Sequence, residues 1–267
     1  MASTVQPRST IQSVERAAAI LGLLAGPQRR LGVAELAREL ALPKGTIHGI
    51  LRTLQLHGFV EQDPDSNKYR LGCALVPMGV GYLAANRLRA AALDPTHALA
   101  VRTGESVRVA ILRRRHALII HHLTRAGDAR RTLETGRPVP LHATALGKAL
   151  LTHQPSLPAE LTVSPLVEFT PATVTDPARL RRQIATASRR GWASEQGEFS
   201  VGAAGIAAPV AGRHGSDVAA IGLDGPLERL SHAGAPRTDL VDALLAAARA
   251  TAQALAAASR SPPKMRR

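Results

Sequence analysis

Residues 33–70 constrain the fold more than any other stretch, because their hydrophobic spacing changes character twice over a short distance. Val33, Leu36, Ala37 and Leu40 recur at steps of three and four, the helical period. Ala41-Leu42-Pro43 then makes a turn. Proline is tolerated in a helix's first turn, where its missing N–H would lack a partner anyway, so a second helix begins at Pro43 or Lys44 and continues to about Leu56. Ile47, Ile50, Leu51 and Leu54 form its apolar stripe. Lys44, His48, Arg52 and Gln55 recur on a different face at steps of four, four and three. That face carries hydrogen-bond donors able to pair with guanine N7 and O6 or with adenine in a major groove. Gly45 and Gly49 flank it, with Thr46 between them. Each glycine costs a helix about 1 kcal/mol relative to alanine, and the lack of Cβ lets a backbone approach phosphates or base edges closely.

A polar helix face is by itself no more than a solvated face; the next segment weighs against that reading. Phe59-Val60-Glu61-Gln62 and Lys68-Tyr69-Arg70-Leu71 flank Asp63-Pro64-Asp65-Ser66-Asn67, a cluster of turn formers, and predict a β-hairpin. Strand alternation sends Tyr69 and Leu71 to one side and Lys68 and Arg70 to the other, where they can meet a phosphate backbone. Upstream, Ile11, Val14, Ala18, Leu21 and Leu24 predict a first helix closed by Gly26-Pro27. Three helices and a hairpin in this order describe a winged helix-turn-helix over residues 10–72.

At 267 residues the chain predicts two domains. No apolar run looks long enough to span a bilayer, and Met1 to Ser9 lacks a signal peptide's apolar block, so a cytoplasmic protein with no membrane partner is expected. Cys73 is the single cysteine, which excludes an internal disulfide and a cysteine zinc cluster. The formal charge of +14 favours polyanions. Its distribution matters more: residues 1–72 hold nine Lys/Arg against six Asp/Glu, whereas residues 73–267 hold twenty-five against fourteen. Bulk basicity therefore supports nonspecific attraction, not specificity. The basic tail, residues 259–267, is read as disordered.

Residues 73–95 predict a helical linker with apolar surface (Leu75, Val76, Met78, Tyr82, Leu83, Leu88, Leu93), ending near Pro95 and suited to pairing with a second copy. Beyond it, Ser106–Leu112 and His116–His122 read as a hairpin turning at Arg113–Arg115, Arg130–Glu134 as a further strand, and Gly205–Val210 with Val218–Leu223 as a second pair. Helices fall at about 144–153, 177–191 and 237–258. An antiparallel sheet with flanking helices, an α+β domain, is expected over residues 96–258. Thr144 is a plausible N-cap for the helix opening Ala145-Leu146-Gly147, whose free N–H groups could meet an anion; every helix has such an end, so the signal is weak alone.

Gln12–Ala17, Leu42–His48, Leu54 through Val60, Tyr69–Gly72, Leu141–Ala149 and Ile206–Val210 together resemble the IclR-type transcriptional regulators, over residues 10–258. The reader, from Ile11 to Leu24 and His48 through Pro64, is most similar to the glycerol-operon branch of that family. The resemblance implies an N-terminal domain that binds double-stranded operator DNA, a linker helix that helps it dimerise, with pairing of dimers an open possibility, and a C-terminal GAF-like domain that binds a small metabolite. It places the effector beside Thr144, Ala145 and Leu146, with Glu195, Gly205, Gly222 and Asp224 as further wall. Relatives that bind small oxoacids tend to present cysteine or serine where this chain has Gly205, Gly222 and Asp224. Two glycines predict a larger cavity. Two carboxylates disfavour an anion unless an arginine such as Arg131 compensates, so a polyol or sugar-related ligand suits them better than a small organic acid.

Three other readings compete. Glu195, Glu198, Asp224, His142 and Ser200 could be assembled into catalytic schemes, but no nucleophile elbow, phosphate loop or paired metal motif accompanies them. His116, His121, His122 and His142 could form a metal site, yet strand alternation separates His121 from His122. An architectural DNA-coating protein would not need the large second domain. The expectation is therefore a ligand-responsive homodimeric regulator, a repressor of a catabolic operon rather than its activator, without catalytic residues, metal or cofactor. Its DNA contacts are expected at Lys44, Gly45, Thr46, His48, Gly49, Arg52, Gln55, Lys68 and Arg70.

Overall fold

The computed structural model describes residues 11–26, 30–113, 115–127, 134–154, 161, 165–211 and 218–258. It divides into two compact units after Tyr82. In the first, helices α1 (Gln12–Leu24), α2 (Val33–Leu40) and α3 (Lys44–Leu56) precede the antiparallel hairpin β1 (Val60–Gln62) and β2 (Tyr69–Leu71), which is the expected winged helix-turn-helix. The turn between α2 and α3 rests on Ala41 in the left-handed region (φ 51°), whose neighbour Leu42 donates to the Ala37 carbonyl. Leu31 adds a short third strand to the wing by exchanging two backbone hydrogen bonds with Tyr69.

Ile20, Leu24, Leu36, Ile47, Leu51, Leu54, Val60 and Tyr69 form this unit's core. The stripe expected on α3 is confirmed, but that on α1 is corrected: Ile11 and Val14 are 71% and 61% exposed, and Ala17, Ile20, Leu21 and Leu24 face inward instead. Both sets have helical spacing, and packing against α3 selects the one that includes Ile20.

Helix α4 (Leu75–Ala85) is followed by α5 (Arg87–Thr103). The expected end near Pro95 is not found. Pro95 cannot donate to the carbonyl one turn earlier, but Leu88, Ala92, Thr96 and Leu99 make a buried stripe across it. The Thr96 hydroxyl donates to the carbonyl of Ala92 at 2.6 Å, reinforcing the helix where proline weakens it. Burial of the stripe outweighs the missing hydrogen bond.

The second unit is built on a six-stranded antiparallel sheet. Its strands are β3 (Ser106–Arg113), β4 (His116–Leu123), β5 (Pro138–Pro140), β6 (Ala193–Gln196), β7 (Ala203–Ala211) and β8 (Val218–Pro226), in the order β5-β4-β3-β8-β7-β6. On one face lie α5 and α9 (Thr238–Ala258), over a core of Val107, Val109, Ile111, Ile206, Ala208, Ile221 and Leu223. On the other lie α6 (Ala145–Leu151) and α7 (Pro177–Arg190), packed through Leu146, Leu150, Leu180 and Ala187 onto Ala110, Ala207 and Ala220. The one-turn helix α8 (Leu227–Leu230) connects β8 to a minimal hairpin, β9 (Ser231–His232) and β10 (Ala235–Pro236).

The α+β class and both long hairpins are as expected. Strands β5 and β6, only three and four residues long, are additions the periodicity did not reveal. The strand expected at Arg130–Glu134 lies almost wholly outside the described residues, as do residues 212–217 between the second strand pair, Pro27 and the tail. One reading is corrected: α9, at 21 residues and mean hydropathy 1.3, is long and apolar enough to cross a membrane. Leu240, Val241, Leu244, Ala248 and Leu255 of that helix are nevertheless buried on the sheet.

Candidate nucleic-acid interface and ligand cavity

Helix α3 displays the expected reading face. Lys44, Gly45, His48, Gly49, Arg52 and Gln55 are exposed and Thr46 is half-buried, while Ile47, Leu51 and Leu54 point into the core. A Cβ added at Gly45 or Gly49 would meet no atom within 4 Å. No packing among the described residues therefore requires glycine at either position.

The wing differs from expectation in how its cations are engaged. The Lys68 ammonium lies 3.2 Å from Glu35, whose other oxygen accepts the Gly32 N–H at 2.7 Å at the start of α2. Arg70 donates through Nε and Nη2 to Glu61 at 3.2 and 3.0 Å, and Arg30 pairs with Asp63 at the wing tip. Backbone donors and then these cations hold Glu35 and Glu61 below the usual carboxylate range. Lys68 thus ties the wing to α2 and Arg70 pins the hairpin internally, roles that alternation alone could not reveal.

In the second unit the sheet register gathers the expected effector residues. Glu195, Gly205, Asp224 and Ser106 lie directly across from one another on successive strands β6, β7, β8 and β3. One step along the same face, Ala193, Ala207, Gly222, Arg108 and His122 form the next row. The N-terminus of α6 covers this face, with Thr144 as its N-cap accepting the Gly147 N–H at 3.1 Å and donating to the Pro140 carbonyl at 2.6 Å. Thr144, Ala145, Leu146, Glu195, Gly205, Gly222 and Asp224 all line a single cavity of about 540 Å³. Arg131 is outside the described residues.

The glycines act differently from expectation. An added Cβ at Gly205 would stand 3.3 Å from the Ala145 Cβ, and one at Gly222 would stand 3.0 Å from Leu146 Cδ2. They let the start of α6 approach the sheet, a role that the sequence did not disclose.

The charge arrangement was only half legible. Arg108, unmarked in the sequence, lies in the cavity wall and pairs with both Glu134 (Nε to Oε2, 2.8 Å) and Asp224 (Nη1 to Oδ2, 2.8 Å). Arg137 at the rim donates to Glu134 at 2.7 Å. Among the described residues lining the cavity, Glu195 has no such cation beside it. Burial pushes its carboxyl up to about 7, an effect that the Glu198 N–H donating to it at 3.0 Å partly opposes. Behind it the fully buried Lys148 of α6 pairs with Glu198 at 2.5 Å. A single charge inside an otherwise apolar helix needs a buried partner; that signal was present in Leu146-Gly147-Lys148-Ala149.

Of the groups that could be assembled into catalytic schemes, His142 Nε2 is 2.9 Å from the Val167 carbonyl, Glu198 is tied to Lys148 and Asp224 to Arg108. Among the described residues no group of three or more His, Cys, Asp or Glu is placed to hold a metal ion.

Comparison with known proteins gives this geometry its class. Residues 13–64 match the family described as the IclR helix-turn-helix domain, and residues 80–253 match the bacterial transcriptional regulator IclR C-terminal domain. The chain belongs to the IclR family: it is a DNA-binding transcriptional regulator and not an enzyme. It is 45% identical over 247 residues to the glycerol operon regulatory protein of Streptomyces coelicolor, covering 92% of this chain and 97% of that one. It is 28% identical to the transcriptional repressor IclR of Escherichia coli, covering 86% and 85%. Among solved structures, an IclR homologue of Microbacterium hydrocarbonoxydans, crystallised with 4-hydroxybenzoate, superposes with a TM-score of 0.76 at 28% identity, covering 92% and 99%.

Proposed function

We propose that the protein is a cytoplasmic, homodimeric repressor of a catabolic operon, released when a small hydroxyl-rich metabolite fills the cavity between α6 and the sheet. The division of labour is that expected from the sequence: residues 10–72 read the operator, residues 73–95 link and pair, and residues 96–258 bind the effector. Exposed apolar side chains on α4, with Val76, Met78 and Val80 each about 60% exposed, support the pairing role.

The observation that carries the effector assignment is the commitment of Arg108 to two carboxylates inside the cavity. An anionic ligand would have to displace Glu134 or Asp224 to reach that cation. Hydroxyl groups, by contrast, can donate to Asp224 and Glu195 and accept from Arg108 without breaking the pairs. Glycerol or a related polyol is the first ligand class, consistent with the glycerol-operon name of the Streptomyces relative. The aromatic acid bound by the Microbacterium homologue favours a second class, small organic acids.

On the DNA side, Lys44, Thr46, His48, Arg52 and Gln55 enter the major groove, Gly45 and Gly49 allow close approach, and Lys68 and Arg70 contact phosphates while remaining near their carboxylates. Effector binding shifts the population toward a state that fits the operator less well. A hundredfold loss of operator affinity corresponds to a coupling of about 2.7 kcal/mol. Operator fragments from the chain's own promoter region, titrated with and without glycerol, glycerol 3-phosphate and 4-hydroxybenzoate, test the reading. The polyol is expected to release DNA; release by the acid alone would replace the ligand class, and equal affinity for promoter and scrambled DNA would overturn the reader.

A further inference from the structure

A second cavity, of about 380 Å³, opens between α6, α7 and β6 and shares no lining residue with the first. Its wall is strongly cationic: Lys148, Arg179, Arg182 and Arg190 line it, with no carboxylate among the lining residues. Arg179, Arg182, Gln183, Thr186 and Arg190 fall on one face of α7, three, four, seven and eleven residues from the first, while Leu180 and Ala187 anchor the other face in the core.

Ordinary solvated arginines do not account for three features. Lys148 is 1% exposed yet reaches this cavity, and among the described residues one of its three donors is used, by Glu198. Arg190 is held rigidly, donating to the Trp192 carbonyl at 2.7 Å and to Ser194 Oγ at 3.0 Å with its guanidinium 3.4 Å above the Trp192 ring. Gln183 buries its side-chain oxygen without a hydrogen-bond partner, and its amide can turn either end toward an incoming group. Neither Arg179 nor Arg182 forms an ion pair among the described residues.

We propose that this cavity is a second ligand site, separate from the effector cavity, for a small oxyanion carrying two or more negative charges. Arg179 and Arg182 supply planar forks matched to phosphate or carboxylate oxygens. Lys148 offers its unused donors from the buried end, and Arg190 is a fixed wall whose ordering is already complete before the ligand arrives. A divalent or trivalent ion is favoured over chloride because two arginines without an ion pair among the described residues converge there with Lys148 and Arg190.

The test is calorimetric titration of the full-length protein, free of DNA, with inorganic pyrophosphate and with citrate at constant ionic strength. At least one of them is expected to bind saturably at one site per chain, pyrophosphate alone marking a phosphate site and citrate alone a carboxylate site. In Arg179→Ala/Arg182→Ala, affinity is expected to fall about tenfold or more, as loss of charge-assisted hydrogen bonds requires. In Arg181→Ala/Arg189→Ala, which removes the same charge from positions on α7 that do not line the cavity, it is expected to stay within about twofold. Equal weakening in both variants, binding that survives in the first, or no saturation by either anion below about 10 mM overturns the proposal. None of these outcomes depends on what fills the effector cavity or on whether operator DNA is bound.

Discussion

Arg108 on β3 and Asp224 on β8 are joined across the sheet by an ion pair of 2.8 Å, and the same guanidinium reaches Glu134. The Arg108 side chain is 22% exposed, and Glu134 only 9%, so removal of the cation leaves that nearly buried carboxylate with the half-exposed Arg137 alone and Asp224 without this partner. Arg108→Met is expected to destabilise the second unit by about 3 kcal/mol, the lower end of the cost of breaking a buried pair because part of this one is wet. Urea unfolding followed by Trp192, the chain's single tryptophan and a residue of this unit, measures it. A midpoint unchanged from the parent protein would show that water already replaces the pair.

Glu195 makes the stability of this unit depend on pH near neutrality. Its folded value, about 7, lies above its ordinary value of 4.5. The folded state therefore binds a proton that the unfolded chain gives up, and this contribution is complete below about pH 4.5 and lost as pH rises through 7. The full loss is about 3 kcal/mol by the usual conversion. Glu195→Gln is expected to flatten the fall in stability between pH 5 and 8 and to be the more stable protein at the alkaline end. The wing carboxylates Glu35, Glu61 and Asp63 are shifted downward, so their contributions vanish only in acid, outside that window. An identical pH profile for the variant would mean that another group carries the dependence.

The two units differ in what the sequence could disclose. In the reader every element is local: the helical spacing of Val33–Leu40 and Ile47–Leu54 and the turn cluster Asp63–Asn67 each specify themselves within a few residues. The effector cavity depends on long-range register. Glu195, Gly205 and Asp224 become neighbours only when β6, β7 and β8 align, so those residues were reachable through family resemblance and not through periodicity. Arg108 is a charge set between the apolar residues Val107 and Val109, and its two partners lie 26 and 116 residues further along the chain, a relation that no local pattern encodes. Pro95 misled in the opposite sense, because a local breaker was overruled by burial of the surrounding α5 stripe.

Gly49 separates stability from recognition. An added Cβ there meets nothing within the chain, so Gly49→Ala is expected to stabilise the first unit by about 1 kcal/mol through helix propensity alone. Operator affinity is expected to fall nonetheless, since the methyl occupies space next to the side chains proposed to enter the groove. Arg52→Ala is the complementary change: about 1–3 kcal/mol of discrimination between operator and scrambled DNA is lost with little change in stability. Salt-titrated binding on both DNA sequences resolves the two effects. If Gly49→Ala binds the operator as well as the parent, close backbone approach at that turn is ruled out.

Gly147 tests the geometry at the opening of α6. A Cβ at this position would stand 2.4 Å from the backbone of Leu141, a contact with main chain that no rotamer change relieves. Gly147→Ala must therefore push α6 away from the segment ahead of it or shift that segment, and an overpacked site of this kind costs about 1–3 kcal/mol. Because Ala145 and Leu146 sit on the glycines of β7 and β8 at contact distance, the displacement also reshapes the effector cavity. The expected result is a lower urea midpoint by Trp192 fluorescence together with weakened effector response, while operator binding without effector persists because α3 and the wing lie in the other unit. Full stability in the alanine variant would place α6 farther from Leu141 than described, and with it the roof over Gly205 and Gly222.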